Sequence, residues 1–179
     1  CETSKILENS YRSLNIAFID EWVQYANKVN VNLNRLISGI KLRLSHQNIM
    51  RPGLGVGGYC LTKDPDFVRI SSRYLFNNSD EFPLTTRSMK INKKMPYSSI
   101  KFIKKNLSLK KNMKLLILGA SYKQDIGDTR FSASIDLYNY FKRKKYKVNI
   151  CDPFFDKIDD KNFLRKIPSF NKYHVIIFC

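Results

Sequence analysis

The stretch "MKLLILG", Met113 to Gly119, decides the fold. It is a short apolar run closed by glycine, the pattern of a strand buried on both faces. Beyond it, "SASIDLYNYFKRK" (Ser132 to Lys144) has the periodicity of an amphipathic helix, with Ser132 a candidate N-cap. "KVNICDP" (Lys147 to Pro153) then predicts a second strand ending in an Asp-Pro turn. "DDKNFLRKI" (Asp159 to Ile167) is compatible with a helix, and "HVIIFC" (His174 to Cys179) with a third strand. Strand, helix, strand, helix, strand is the opening of a parallel α/β sheet. Such sheets usually carry more strands, so this one is expected to be incomplete.

Upstream the period changes from two to 3.6. Residues 1–29 predict one long helix, with Ile6, Leu14, Ala17, Phe18, Val23 and Ala26 recurring at helical spacing. A shorter helix is expected over 33–43, a third over 61–75 with "DPDF" as its acidic first turn, and a fourth over 84–106, bent near Pro96. "NNSDEFPL" (Asn77 to Leu84) separates the last two. The fold class is therefore α followed by α/β: a helical domain over 1–110 and a truncated α/β domain over 111–179. The chain opens within a helical pattern and closes within a strand, which is expected of part of a longer protein.

The 179 residues carry 32 Lys+Arg against 15 Asp+Glu, a net charge of +17. That balance suits an anionic partner, but the lysines are scattered, and a nucleic-acid module gathers basic residues on one face with aromatics interleaved. The densest basic runs are Lys104 to Lys114, at a junction between segments, and Phe141 to Lys147, at a helix end. No run of about 18 apolar residues predicts a membrane span, and no leader pattern is present. Cys1, Cys60, Cys151 and Cys179 show no CxxC spacing and only His46 and His174 accompany them, so no zinc site is expected. Without an export signal the thiols are expected to be reduced and the compartment cytoplasmic.

Three clusters carry chemistry. In "PGLGVGGYCLTKDP" (Pro52 to Pro65), four of the chain's seven glycines stand at 53, 55, 57 and 58. No strand precedes them, so a dinucleotide fingerprint is disfavoured, whereas a loop that brings backbone close to a ligand fits. Cys60 then stands before a helix start, where N–H groups favour a thiolate, and Lys63 and Asp64 share its face. Nucleophile and small buried hydrophobe both remain open for Cys60 on these grounds. In the opening helix Glu2, Lys5, Asn9 and Arg12 share one face, as a polar site or a solvated stripe. The third cluster, "LGASYKQDIGDTRFSAS" (Leu118 to Ser134), hangs Tyr122, Lys123, Asp125, Asp128 and Arg130 at the carboxyl end of the first strand, where open α/β sheets bind ligands and where Lys, Arg and a helix N-terminus suit phosphate.

In this order the clusters resemble the UDP-glucose/GDP-mannose dehydrogenase family of nucleotide-sugar dehydrogenases. "E-x-x-K-x-x-x-N" (Glu2 to Asn9) is similar to the start of the family's central helix, "GVGGYCLTKDP" to its catalytic-cysteine loop, and "SYKQDIGDTRFSAS" with "CDP" to its carboxyl-terminal domain. The resemblance covers nearly the whole chain. It implies a helical dimerisation domain and a Rossmann-like UDP-sugar-binding domain, with the family's amino-terminal NAD-binding domain lying outside these residues. It implies NAD-dependent, four-electron oxidation of a sugar C6 alcohol to a carboxylate. Cys60 would carry a thioester, Lys5 and Asn9 would hold the oxyanion, and Asp64 would position or activate water. Arg51, Leu54, Gly55, Gly57 and Lys123 would contact the nucleotide-sugar, and Lys63 and Arg130 the cofactor. The family's arginine that reaches a neighbouring subunit falls on His46, with Arg43 close by. The resemblance also implies a homodimer through the opening helix, with neither nucleic acid nor membrane as partner. "ENSYRSLNIAF" resembles members acting on UDP-N-acetylhexosamines and "YCLTKD" those acting on UDP-glucose. A non-catalytic dimerisation module and a basic nucleic-acid binder are the rival readings.

Overall fold

The computed structural model describes residues 2–154 and 160–179. These form two compact units, one of residues 1–53 and 59–93, the other of 54–58 and 94–179. The expected boundary near residue 110 follows the end of a helix, and the packing units divide at Lys94 within that helix.

In the helical unit α1 (Glu2–Val29) packs against α3 (Cys60–Leu75), with the short α2 (Leu33–Ile40) beside it. Asn32 caps α2, its side chain accepting the Arg35 N–H at 3.0 Å. The helix expected to 43 stops at Ile40 and gives way to a 3-10 turn, Leu44–His46. α4 (Pro83–Leu107) begins here and continues into the second unit. The interior is small and polar. Ser13 is fully buried, and its hydroxyl lies 3.2 Å from that of Ser88. Asn92 donates to the Ser13 hydroxyl and carbonyl, both at 2.9 Å. Small residues with matched donors let helix backbones approach closely, although among the described residues Asn92 Oδ1 and the Ser10 hydroxyl are buried without a hydrogen-bond partner.

Of the apolar residues at helical spacing in α1, Ala17 and Ala26 are buried while Phe18 is exposed. One expectation for this unit needs correcting. α3 begins at Cys60, so Asp64 falls in its second turn and no acid occupies the first. Pro65 lies inside α3 and Pro96 inside α4, and α4 is assigned as one helix across Pro96.

The second unit is built on a four-stranded parallel sheet in the order β3-β2-β1-β4. Its strands are β1 (Lys114–Leu118), β2 (Lys147–Cys151), β3 (Phe163–Leu164) and β4 (Val175–Phe178). β1 is central: Leu115, Leu116 and Ile117 are all fully buried, which explains the unbroken apolar run. α5 (Ala133–Arg143) crosses from β1 to β2 and buries Leu137, Tyr138 and Phe141 against Ile117, Val148 and Ile150. Ser132 stands at the N-cap of α5, but no side-chain capping bond is made; its hydroxyl donates instead to the Ala120 carbonyl at 2.6 Å. Asp159 lies outside the described residues, and no helix forms over 160–167. There Asp160 accepts the backbone and side-chain N–H of Asn162 at 3.0 and 3.1 Å. This local turn replaces a helical start and delivers β3 to the sheet edge.

Candidate active site

The helical unit assembles one cluster. Asp64 and Asn9 are both buried, and Asn9 donates to Asp64 Oδ2 at 3.0 Å. The ammonium of Lys5, one turn earlier on α1, lies 3.6 Å from the same oxygen. Lys5 is largely exposed while Asp64 is not, so the carboxylate is held from the protein side and the ammonium faces outward. Cys60 is an exposed free thiol one turn before Asp64, at the first position of α3. It therefore sits beside the unsatisfied N–H groups of the α3 N-terminus. Of the four polar residues on the α1 face, Lys5 and Asn9 reach this cluster; Glu2 and Arg12 are exposed.

Lys63 points elsewhere. Its ammonium lies 5.2 Å from the Tyr59 ring centroid and 5.7 Å from that of Phe67. Arg51 is exposed and donates to the Ser38 hydroxyl at 3.2 Å. His46 is exposed with Nδ1 2.8 Å from the Ser45 hydroxyl, and Arg43 precedes that turn.

The α/β unit assembles a second cluster, and it includes the glycine segment. Leu54 packs against the sheet core. A Cβ on Gly55 would stand 2.8 Å from Ala133 Cβ and 3.3 Å from Pro96 Cγ. A Cβ on Gly57 would run into Tyr122 Cβ and stand 3.0 Å from the Phe131 carbonyl. Gly58, at φ +76, lies under the Tyr122 ring and donates its N–H to the Arg130 carbonyl at 2.8 Å. Glycine is thus required because the segment lies flat against the β1–α5 loop. Lys123, next to Tyr122, is exposed. Arg130 is not a free cation: its guanidinium forks onto Asp128, with Nε at 2.9 and 3.0 Å and one terminal nitrogen at 2.5 Å. That hydrogen bonding holds the Asp128 carboxyl below the usual range.

Asp152 organises the loop, a role that "CDP" did not reveal. Its Oδ2 accepts the N–H of Ala120 at 2.9 Å and of Ser121 at 3.0 Å, and the Ser121 hydroxyl at 3.1 Å; its Oδ1 accepts the Phe154 N–H at 3.0 Å. Burial pushes this carboxyl up, but the hydrogen bonds more than offset it and the net shift is downward. The amides at the end of β1 are therefore already occupied by a carboxylate. The Ala120 and Ser121 N–H groups are thus not free for a phosphate, and among the described residues no carboxylate lies within ion-pair reach of Lys63.

The fold and site together define a cysteine-bearing helical unit with a Rossmann-like parallel α/β unit. Residues 1–94 match the central domain of the UDP-glucose/GDP-mannose dehydrogenase family, and residues 116–177 match its UDP binding domain. The chain belongs to this family. It is 34% identical over 136 residues to a UDP-N-acetyl-D-mannosamine dehydrogenase of Campylobacter jejuni, covering 76% of this chain and 32% of that one. The solved UDP-N-acetyl-mannosamine dehydrogenase of Staphylococcus aureus superposes with TM-score 0.71 at 30% identity, over 89% of this chain and 35% of that one. A UDP-glucose dehydrogenase from Pyrobaculum islandicum shares the fold with TM-score 0.83 at 18% identity, over 98% of this chain and 42% of that one. The chain thus spans about a third of the length of the curated relatives it matches. No described helix is long and apolar enough to cross a membrane.

Proposed function

We propose that residues 1–179 form the catalytic-cysteine and UDP-binding portion of an NAD-dependent UDP-sugar 6-dehydrogenase. The substrate is a UDP-N-acetylhexosamine or UDP-glucose, and the product a uronic acid that feeds surface polysaccharide synthesis in the cytoplasm. The observation that carries this reading is the pairing of Asp64 with Asn9 and Lys5 one helical turn from the exposed Cys60 thiol.

The Cys60 thiolate adds to the C6 aldehyde of the half-oxidised sugar. The resulting oxyanion lies beside the Lys5 ammonium and the Asn9 amide, which supply charge and a donor where negative charge develops. NAD, when bound, is the acceptor for the hydrides that leave C6. A water positioned by Asp64 then attacks the thioester on Cys60, releasing the carboxylate and returning the thiol. Lys5 contributes twice, as the outward cation of the Asp64 pair and as the charge facing the oxyanion. Arg51, Leu54, Gly55, Gly57 and Lys123 contact the nucleotide-sugar, Lys63 and Arg130 the cofactor. Two copies pair through α1.

The test is stoichiometry. The chain together with its dinucleotide-binding portion should release two NADH for each UDP-sugar consumed, and Cys60→Ala should abolish uronate formation while the fold is kept. One NADH per sugar, or full activity in Cys60→Ala, would overturn the covalent route.

A further inference from the structure

The two densest basic runs of the sequence take no part in the cysteine site. In the α/β unit they meet at the amino ends of the strands. Lys114 begins β1, Lys147 begins β2, and the two are register partners. Neighbouring strands lie about 4.8 Å apart, so two like charges stand side by side, an arrangement that weakens a sheet unless something offsets it. Lys142 from the last turn of α5 and Lys172 from the 3-10 turn Phe170–Lys172 complete a group of four lysines around a cleft of about 270 Å3. Tyr146 and Tyr173 form two more of its walls.

Among the described residues three of the four have no counter-charge. Asp160 pairs with Lys142 at 2.6 Å and also accepts the Tyr138 hydroxyl, so it is fully engaged. Among the described residues no carboxylate lies within ion-pair reach of Lys114, Lys147 or Lys172. The cleft walls are fixed from within: the Tyr173 hydroxyl donates to Asn149 Oδ1 and the Asn149 amide donates to the Asn162 carbonyl, both at 3.3 Å. The cleft is therefore a concavity lined by four lysines, a full strand length from the loop that bears Lys123, or roughly 13 Å.

We propose that this cleft is a second anion site, one that binds a compact diphosphate group. Three uncompensated ammonium groups around a small volume match the several oxygens of a diphosphate, whereas one carboxylate would leave most of the charge unanswered. The lysines ring a cleft rather than track a groove, so a compact ligand fits and a long polyanion does not. Tyr173 offers a wall for an attached base, and so does the face of Tyr146 away from the Lys111 ammonium, which lies 4.0 Å from that ring's centroid. The proposal is independent of the dehydrogenase reading, since none of these lysines belongs to the cysteine site.

The test is a calorimetric titration of the 179-residue chain with inorganic pyrophosphate, repeated with adenosine diphosphate. Saturable binding at one site is expected, with a rise in melting temperature on addition of ligand. Lys114→Gln and Lys147→Gln should each weaken binding about tenfold, as expected for a lost charge-assisted hydrogen bond. Lys166→Gln, outside the cleft, should leave it unchanged. Melting curves of the variants without ligand confirm that they fold. Equal affinity for the two ligands identifies the diphosphate alone as the recognised group; tighter adenosine diphosphate binding that Tyr146→Ala removes identifies a nucleoside diphosphate. Absence of saturable binding, insensitivity to both cleft substitutions, or much tighter binding of a short oligonucleotide than of pyrophosphate would each overturn the proposal.

Discussion

Asp64 is the residue on which the helical site turns, because it is buried and its two partners both come from α1. Asn9→Ala removes the amide and leaves a buried carboxylate with one exposed cation. Such a loss costs about 1–3 kcal/mol, and chemical denaturation of the isolated chain should show it; an unchanged midpoint would mean that the Asn9 bond is dispensable. Asp152 makes a pH-dependent case. Its folded carboxyl is shifted downward, so it stabilises the protein above the ordinary carboxylate range and that contribution fades as pH falls through the depressed value. Asp152→Asn should lower the melting temperature at pH 7, and the gap to the parent should narrow as the pH falls from the ordinary carboxylate range through the depressed Asp152 value. A gap that stays constant with pH would show that packing, not the charge, supports the loop. Sequence spacing put Lys5 with Asn9 on one helix face and Cys60 with Asp64 on another, since helical period is a local property, but left open whether either face is a site. It did not reveal that Asp152 binds the amides after β1, because that bond joins residues about thirty positions apart.

At the scale of elements, the helix and strand identities followed from periodicity, while several boundaries followed from side chains that bind their own backbone. Asp160 turned an expected helix into a turn before β3, and the Ser132 hydroxyl chose the Ala120 carbonyl over the α5 cap. The glycine segment was legible as a close approach but not as to what is approached. Tyr122 fills that place, and Gly57 lies where any Cβ would strike the Tyr122 Cβ, which no rotamer change can move aside. Gly57→Ala should therefore destabilise the α/β unit by about 1–3 kcal/mol. Gly53→Ala, with open space around it, is the neutral comparison. Equal melting temperatures for the two variants would show that the segment does not rest on Tyr122.

For the whole molecule the informative element is α1, which is apolar on its exposed side as well. Its buried residues include Asn9, Ser13 and Asp20, while Leu7, Tyr11, Phe18, Trp22, Tyr25 and Val29 are exposed. At 100° per residue those six fall within roughly 60° of one another, a continuous stripe of about 33 Å along the helix. Trp22 meets Phe18 and Tyr25 along it, with ring centroids 6.2 and 5.7 Å apart. The buried residues of α1 also include Ala17, Ile19 and Ala26, so the helix is apolar on both sides; an exposed aromatic stripe of this kind suits the pairing of two copies proposed above. Helical spacing grouped Phe18 with Ala17 and Ala26 because periodicity reports apolar positions without saying whether they face the chain's own interior or a second copy. The chain is expected to sediment as a dimer, with Trp22 and Tyr25 as anchors. Trp22→Ala should weaken self-association by about 30-fold, the effect of an aromatic hot spot worth about 2 kcal/mol, and Trp22→Glu with Tyr25→Glu should yield monomers whose circular dichroism still shows α1 folded. A parent chain that is monomeric at high concentration, or a doubly charged variant that remains dimeric, would remove α1 as the interface.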